Sequence, residues 1–226
     1  MKYIVIGLGY FGSTLAAKLT ALGHEVIGID KHPERVEELK DRVTRVMVMD
    51  TSKPNTLQTL PLSDFDAVVV AIGEDIGASI LTVSILKKMN IKRLIGRAIN
   101  PLHQNILSEL GIEEIIHPEE DTATEVASML MLQDTVNAMI LNDRNIVAEV
   151  KIPEEYAGHS LGAVNLEGRF GIKPVAVKIA PEGKGLGALL NRDYTVDLDC
   201  DPRRMLGKKD RLIVIGDIEK IKRFLE

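Results

Sequence analysis

Three glycines near the start of the chain have the spacing with which proteins hold a diphosphate. In "IGLGYFGSTL", Gly7, Gly9 and Gly12 form the pattern G-x-G-x-x-G between an apolar run and a helical pattern. Such a turn brings backbone N–H groups and the positive end of a helix close to phosphate oxygens. Asp30 comes 18 residues after Gly12 and can accept hydrogen bonds from two ribose hydroxyls. The pattern predicts a bound nucleotide, and the carboxylate disfavours the 2′-phosphate of NADP, although Lys31 lies beside it.

The ends of later apolar runs supply further candidate ligands. Asp50 either lies near the adenine or acts as the N-cap of a following helix. Gly73 keeps the backbone low across the expected cleft, and we expect the helix after it to point its N-terminus at the phosphates. Arg97 either reaches a phosphate or forms a surface ion pair.

Short apolar runs alternate with helical patterns through the first half of the chain. The runs are "YIVIG", "HEVIGID", "VTRVMVMD", "DAVVVAIG", "KRLIGRA" and "IEEIIHP". Each run is short enough for a buried strand, and the segments between them have helical spacing, as in Leu15, Leu19 and Leu22. This alternation predicts an α/β fold with a Rossmann-like parallel sheet and helices on both of its faces.

The second half of the chain has a different pattern. A long helix is predicted over "PEEDTATEVASMLMLQDTVNAMIL". Short strands follow at "NIVAEVKI", "IKPVAVKIA" and "DRLIVIG", and "DIEKIKRFLE" is predicted to be a closing helix. The apolar face of the long helix consists of Val126, Met129, Leu130 and Met131. Ile218, Ile221 and Leu225 lie on one side of the closing helix. The glycines between the strands include Gly183, Gly185 and Gly187. These helices and short strands predict a small α+β domain in the second half of the chain.

The composition argues against several other functions. The net charge is −5 and aromatic residues make up 4%, so the chain lacks both the basic excess and the stacking residues of a nucleic-acid-binding protein. No apolar run approaches the roughly 20 residues of a membrane span, so we expect a cytoplasmic protein. The single cysteine, Cys200, lies among acids that disfavour a thiolate. With no catalytic constellation, the sequence favours a nucleotide sensor over an enzyme; the alternative is a small NAD-dependent oxidoreductase or an NAD(H) redox sensor.

The stretches "IVIGLGYFGSTLAAKLTALGHEVIGID", "DAVVVAIGEDIGAS" and "IIHPEED" resemble the regulator-of-conductance-of-potassium (RCK) domain, in particular that of the cytosolic gating subunits of Ktr and Trk potassium-uptake systems. The resemblance implies a Rossmann-like nucleotide-binding domain at 1–117, a crossover helix that packs on a dimer partner at 118–134 and a C-terminal ligand-sensing domain at 135–226. It also implies a homo-oligomer, an octameric ring at the inner face of the cell membrane, beneath an integral-membrane potassium transporter.

The resemblance also implies the ligands of the protein. In the family, bound ATP, ADP or NAD(H) sets the gate, and an acid that falls on Glu119 binds a divalent cation, Mg²⁺ or Ca²⁺. The alternative for Glu119 is an exposed acid in the first turn of a helix. Relatives often place an arginine after the second glycine to reach the γ-phosphate of ATP. Tyr10 stands there in this chain, so we expect weaker discrimination between ATP and ADP.

Some relatives bind cyclic di-AMP in the C-terminal domain, and the matching stretch here is 165–174, which includes Arg169. No nucleic-acid partner is implied. The residues predicted to bind the adenine nucleotide are Gly7, Leu8, Gly9, Tyr10, Phe11, Gly12, Asp30, Lys31, Asp50, Thr51, Ala71, Ile72, Gly73 and Arg97.

Overall fold

The computed structural model describes residues 1–89, 91–131, 134–181 and 194–226. These residues form two compact units, Met1–Glu120 and Asp121–Glu226. The glycines predicted to separate strands at Gly183, Gly185 and Gly187 lie outside the described residues. Within the described part of the chain, no helix is both long enough and apolar enough to cross a bilayer.

Six parallel strands form the sheet of the first unit. They are β1 (Lys2–Ile6), β2 (Glu25–Asp30), β3 (Arg45–Val48), β4 (Ala67–Val70), β5 (Leu94–Arg97) and β6 (Glu114–Ile116). Their order across the sheet is β3-β2-β1-β4-β5-β6, which confirms the predicted Rossmann-like sheet. The order reverses between β1 and β4, and at such a point a crevice opens at the carboxyl ends of the strands.

Helices and one short 3-10 turn connect these strands. They are α1 (Tyr10–Ala21), α2 (Pro33–Glu37), α3 (Pro54–Leu57), the 3-10 turn Leu62–Asp64, α4 (Ile76–Lys87) and α5 (Pro101–Glu109). Leu22 lies just beyond the end of α1 and its residue is 73% exposed. The helical spacing of Leu15, Leu19 and Leu22 therefore extends one residue too far, because the chain leaves the helix at Leu22 and turns at Gly23, which has a φ of +85°.

Alternate residues of the central strands pack into two separate cores. Ile4 of β1 packs in one core with Val83 of α4 and Leu107 of α5. Val5, the next residue of β1, packs in the other core with Ala16 of α1. Helices therefore cover both faces of the sheet, which explains why the strands read as nearly continuous apolar runs.

The second unit contains an antiparallel sheet with the strand order β10-β9-β11-β8-β7. The strands are β7 (Thr135–Ile140), β8 (Asn145–Lys151), β9 (Lys173–Ile179), β10 (Thr195–Asp197) and β11 (Arg211–Asp217). The helical segments are α6 (Pro118–Met131), the 3-10 turn Glu154–Tyr156, α7 (Leu161–Val164), α8 (Leu166–Phe170) and α9 (Ile218–Leu225). The sequence boundary between the two units falls within α6.

The long helix predicted after His117 is wrong in its second part. Helix α6 ends at Met131, and Thr135–Ile140 is strand β7, which pairs with β8 in a hairpin. The side chain of Asn142 accepts hydrogen bonds from the N–H groups of Arg144 and Asn145 and closes the turn between the strands. This turn, together with the β-branched residues of β7, outweighs the helical spacing of the apolar residues.

The described residues of the predicted apolar face are exposed in α6 and buried or partly buried in α9. In α6, Val126 and Leu130 are 46% and 82% exposed in the single chain. The side chains of Met129 and Met131 lie outside the described part. In α9, Ile221 is fully buried as predicted, with Ile218 and Leu225 partly buried. Phe224 is also buried there and was not predicted, although it lies next to the position expected from helical spacing.

His103 is buried without a hydrogen-bond partner for its ring, so the stability of the protein should depend on its protonation. His103 of α5 is 1% exposed, neither ring nitrogen has a hydrogen-bond partner, and burial lowers the pKa of the imidazole. The imidazole of His103 binds a proton more readily in the unfolded chain than in the folded protein. The free energy of unfolding is therefore unaffected by protonation of this histidine above the unfolded pKa of about 6.5 and decreases as the pH falls below it. We expect His103→Leu to raise the free energy of unfolding by about 1 kcal/mol at pH 7 and to reduce its loss on acidification.

Denaturant unfolding at neutral and mildly acidic pH measures this effect. His159→Gln, which changes an exposed histidine, is the matched control and should unfold like the wild type at both pH values. Equal pH dependence in His103→Leu and the wild type would contradict the prediction.

Candidate functional site

A cavity of about 660 Å³ opens at the carboxyl ends of β1 and β4, where the strand order reverses. This volume is typical of small-molecule sites. All of the predicted nucleotide-binding residues line the cavity except Leu8 and Gly12, and the predicted metal ligand Glu119 lines it as well. We call this cavity the cleft. The sheet topology therefore brings the predicted site residues together.

The turn at the base of the cleft depends on two glycines. Gly7 has a φ of +92°, a conformation that side chains disfavour. A Cβ atom on Gly12 would lie 1.8 Å from the carbonyl oxygen of Gly7. Helix α1 therefore packs directly against the turn, and Gly12 shapes the site without lining it.

Gly9, unlike Gly7 and Gly12, has open space where a side chain would begin. A Cβ atom on Gly9 would meet no heavy atom closer than Arg35 Nη1, at 3.9 Å. Packing within the protein therefore does not require a glycine here. Gly9 is the N-cap residue of α1, which has no side-chain cap and no acid in its first turn. This end of the helix leaves N–H groups for an anion in the cleft.

The carboxylate of Asp30 connects the end of β2 to the glycine turn. Its Oδ2 accepts a hydrogen bond of 2.7 Å from the N–H of Leu8, and its Oδ1 accepts one of 2.9 Å from the N–H of His32. Asp30 is only 6% exposed. Because each carboxylate oxygen has a second lone pair, Asp30 can hold the turn and still accept hydrogen bonds from ribose hydroxyls.

Two ion pairs join the segment after β2 to the segment after β4. Arg35 Nη2 donates to both carboxylate oxygens of Glu74 at 2.9 Å, and this interaction raises the pKa of the guanidinium. Lys31 Nζ lies 3.4 Å from Asp75 Oδ2. The sequence reasoning missed Arg35, Glu74 and Asp75 as lining residues. The available signal was the acidic pair directly after the fourth strand, in "AIGEDIGAS".

The N-terminus of α4 lies at the cleft, as the sequence suggested, but one of its N–H groups already has a partner. Asp75 is its N-cap and accepts a hydrogen bond of 2.9 Å from the N–H of Ala78. That bond holds the pKa of the Asp75 carboxyl below its usual range. The N–H of Ala78 is therefore not available to a phosphate, and the expectation that this helix end faces the phosphates stays a prediction. Helix α1 provides the end that has no side-chain cap.

Asp50 and Thr51 line the cleft beyond the end of β3. Asp50 Oδ1 accepts hydrogen bonds from the hydroxyl and the N–H of Ser52, and the hydroxyl lowers the pKa of the Asp50 carboxyl. The N-cap of α3 is Lys53, so the alternative that Asp50 is a helix cap is wrong. The hydroxyl of Thr51 lies 2.9 Å from that of Thr82 in the buried interior.

Arg97 and Glu119 form an ion pair with each other at the edge of the cleft. The Arg97 guanidinium also lies over the ring of Phe11, 5.4 Å from its centroid, and its side chain is 13% exposed. A Cβ atom on Gly73 would come within 2.9 Å of this guanidinium, so Gly73 leaves room for Arg97. The predicted phosphate ligand and the predicted metal ligand are thus partners. Among the described residues, no three His, Cys, Asp or Glu side chains are grouped to hold a metal ion.

A second cavity, of about 760 Å³, lies in the second unit. Asn165, Lys173 and Pro174 from the stretch predicted for cyclic di-AMP line it. Arg169 does not line it and instead stacks on the rings of Tyr156 and Phe170. Cys200 lines this cavity too, and burial, followed by the charges of two nearby aspartates, raises the pKa of its thiol, which disfavours the reactive thiolate.

Comparisons with known proteins agree with this architecture. The family model of the TrkA-N domain matches residues 3–118. The Ktr system potassium uptake protein C of Bacillus subtilis (strain 168) is 31% identical over 223 residues, which cover 99% of this chain and 95% of the relative. The RCK domain of GsuK has a TM-score of 0.65 at 12% identity and covers 99% of this chain and 47% of its own, so it shows the fold.

A third similarity concerns the first unit. The NAD(P)-binding domain of an exopolyphosphatase-related protein from Archaeoglobus fulgidus has a TM-score of 0.50 at 25% identity, covering 54% of this chain and 91% of its own. The predicted resemblance to RCK domains is confirmed by these comparisons. The chain belongs to the TrkA-N family, among the relatives of the Ktr system potassium uptake proteins.

Proposed function

We propose that this protein is the nucleotide-binding regulatory subunit of a Trk/Ktr-type potassium transporter. An adenine nucleotide binds in the cleft of the first unit, and its identity sets the conformation of a homo-oligomeric ring. The ring lies at the inner face of the cell membrane and gates a separate integral-membrane subunit. The family relationship to potassium uptake proteins supports the physiological part of this proposal.

The open space above Gly9 is the observation that supports nucleotide binding in the cleft most strongly. Apart from the residues adjacent in the chain, the nearest heavy atom to a Cβ there would be 3.9 Å away, although Gly7 and Gly12 on either side are both restricted by close backbone contacts. A glycine that packing does not require, at the uncapped start of α1, is suited to the close approach of a pyrophosphate. The ribose then lies on Asp30, at the end of the neighbouring strand.

ATP, ADP and NAD(H) all fit this binding mode, because they share the adenosine and its first two phosphates. The relative with an NAD(P)-binding domain supports a dinucleotide. Buried Asp30 disfavours the 2′-phosphate of NADP. Tyr10 is 93% exposed at the rim of the cleft and cannot supply the positive charge that an arginine would bring to a γ-phosphate. We therefore infer that the preference for ATP over ADP is weak.

The charge of the cleft favours a divalent cation with the nucleotide. Among the described residues that line it, the carboxylates outnumber the lysine and arginine cations by five to three. The carboxylates are Asp30, Asp50, Glu74, Asp75 and Glu119, and the cations are Lys31, Arg35 and Arg97. An anionic phosphate chain needs additional positive charge in such surroundings. Mg²⁺ or Ca²⁺ held between Glu119 and the phosphates supplies it, and Glu119 then leaves Arg97.

Signalling rather than catalysis is the function that this site supports. The hydroxyl–carboxylate pair in the cleft, Ser52 Oγ donating to Asp50 Oδ1 at 2.6 Å, is local to the turn after β3, and the same bond lowers the pKa of the Asp50 carboxyl, which makes it a weak base for activating a hydroxyl. The oxidoreductase alternative would require a substrate and an acid–base group beside a nicotinamide. A ligand regulates a ring only if it binds one conformation more tightly than another, so nucleotides that differ in their phosphates must differ in affinity between ring states.

The second unit is proposed as a ligand-sensing domain, and its cavity is the candidate site for cyclic di-AMP. Asn165 and Lys173 provide polar groups to that cavity, and Pro174 provides an apolar wall. The exposed Val126 and Leu130 of α6 support the proposal that this helix crosses to a partner subunit in a dimer, with dimers assembling into an octameric ring.

Asp30→Asn tests the placement of the ribose. We expect the affinity for ADP and NAD to fall about tenfold to a hundredfold, because a carboxylate that accepts two hydroxyl hydrogen bonds contributes about 1.5–3 kcal/mol. Calorimetric titration measures the affinity. Asp66→Asn is the matched control, because Asp66 accepts a hydrogen bond from the N–H of Lys2 at the amino ends of the strands, away from the cleft. Equal nucleotide affinity in Asp30→Asn and the wild type, with thermal unfolding confirming that both are folded, would reject this placement.

Gly9→Asp tests regulation of potassium uptake. The space around Gly9 accommodates the side chain, so the protein should fold, but the new carboxylate occupies and repels the phosphate position. In cells without other potassium uptake systems, the membrane subunit with wild-type protein should show nucleotide-dependent uptake, and Gly9→Asp should abolish this dependence. Leu22→Asp adds the same charge at the far end of α1 and serves as the control. Uptake that is identical with wild-type protein, with Gly9→Asp and without either protein would refute the regulatory function.

A further inference from the structure

The ion pair between Arg35 and Glu74 spans the mouth of the cleft. Arg35 belongs to α2, which follows β2, and Glu74 lies between β4 and α4. Both residues line the cleft. Arg35 Nη2 donates to both oxygens of Glu74 at 2.9 Å. Because a single nitrogen makes both contacts, the pair lacks the fork geometry in which two guanidinium nitrogens each meet one carboxylate oxygen.

The same guanidinium lies beside the features expected to hold the phosphates and the ribose. Arg35 Nη1 is 3.7 Å from Asp30 Oδ2 and 3.9 Å from the position that a Cβ would take on Gly9. An anion at the start of α1 would therefore come within reach of Arg35. The planar fork of an arginine can bind phosphate oxygens in the same bidentate way as a carboxylate.

The other cations of the cleft are less suited to meet a phosphate on arrival. Arg97 is largely buried under Phe11 and paired with Glu119. Lys31 pairs with Asp75, a carboxylate that also caps α4. Glu74, by contrast, has a side chain that is 73% exposed, and an exposed ion pair is weak enough to be exchanged for a phosphate.

We propose that Arg35 is a phosphate-binding residue of the cleft and that Glu74 is a competing anion, which a nucleotide phosphate must displace. This inference rests on the proposed nucleotide-binding function and adds a determinant of affinity to it. Glu74 lowers the affinity for ligands that carry phosphates and leaves the affinity for adenosine unchanged. The pair thereby makes the cleft selective for ligands with enough negative charge to replace a carboxylate.

Calorimetric titration, by competition for weak ligands, with adenosine, AMP and ADP separates these effects. We expect Glu74→Gln to bind ADP about threefold to tenfold more tightly than the wild type, and AMP more tightly as well, with adenosine unchanged. Arg35→Gln should bind ADP about tenfold more weakly, again with adenosine unchanged. In the double variant Arg35→Gln/Glu74→Gln, removal of Glu74 should bring no further gain, because its effect acts through Arg35.

Glu37→Gln is the matched control. It removes one negative charge from the same helix, where Glu37 pairs with Lys40 away from the cleft. An equal gain in ADP affinity in Glu37→Gln would assign the effect to net charge and overturn the proposal. Unchanged ADP affinity in Glu74→Gln, or an equal gain for adenosine, would also overturn it. If none of the three ligands binds any variant, the proposed nucleotide-binding function fails as well, and the two failures are thereby distinguished.

Discussion

The direct packing of α1 on the glycine turn is the constraint on which the rest of the first unit depends. Gly12 lies so close to the carbonyl oxygen of Gly7 that a Cβ atom would be 1.8 Å from it. This contact fixes the start of α1 above the sheet, at the point where the strand order reverses. The bond from Leu8 to Asp30 then ties the same turn to the end of β2. The proposed phosphate site and the proposed ribose site are therefore held at a fixed separation by the backbone.

The electrostatics of the cleft follow from this framework. The strand ends place more carboxylates than cations around the uncapped helix. Within the part of the chain that the structure describes, Lys31, Arg35 and Arg97 line the cleft, and each already has an acidic partner. A nucleotide in the proposed site would therefore meet cations that are already paired, rather than a ready cationic pocket. Exchange at Arg97 would free Glu119 at the start of α6, the helix in which the first unit ends. Under the proposed function, bound phosphates would thereby act on the first turn of the helix proposed to contact a partner subunit.

The sequence predicted the parts of the molecule that local patterns determine. The six parallel strands, the glycine turn and the location of Asp30 follow from short apolar runs and glycine spacing, which are local properties. Strand β7 was mistaken for helix because its apolar spacing suits both structures, and pairing with β8 decides between them. The acidic pair after the fourth strand could have indicated Glu74, but its contact with Arg35 joins residues 39 positions apart, which no pattern within one element can indicate. The capping of α4 by Asp75 could not be predicted either, because it depends on the side-chain rotamer that brings Asp75 Oδ1 to the N–H of Ala78.

The structure of the protein crystallised with ADP and Mg²⁺ tests the central claim most directly. We predict density for the nucleotide in the cleft of the first unit, with phosphate oxygens within hydrogen-bond distance of the N–H groups at the start of α1 and with ribose hydroxyls on the Asp30 carboxylate. Density for ADP at another position, such as the cavity that Lys173 and Pro174 line in the second unit, with the cleft filled only by solvent, would contradict the account.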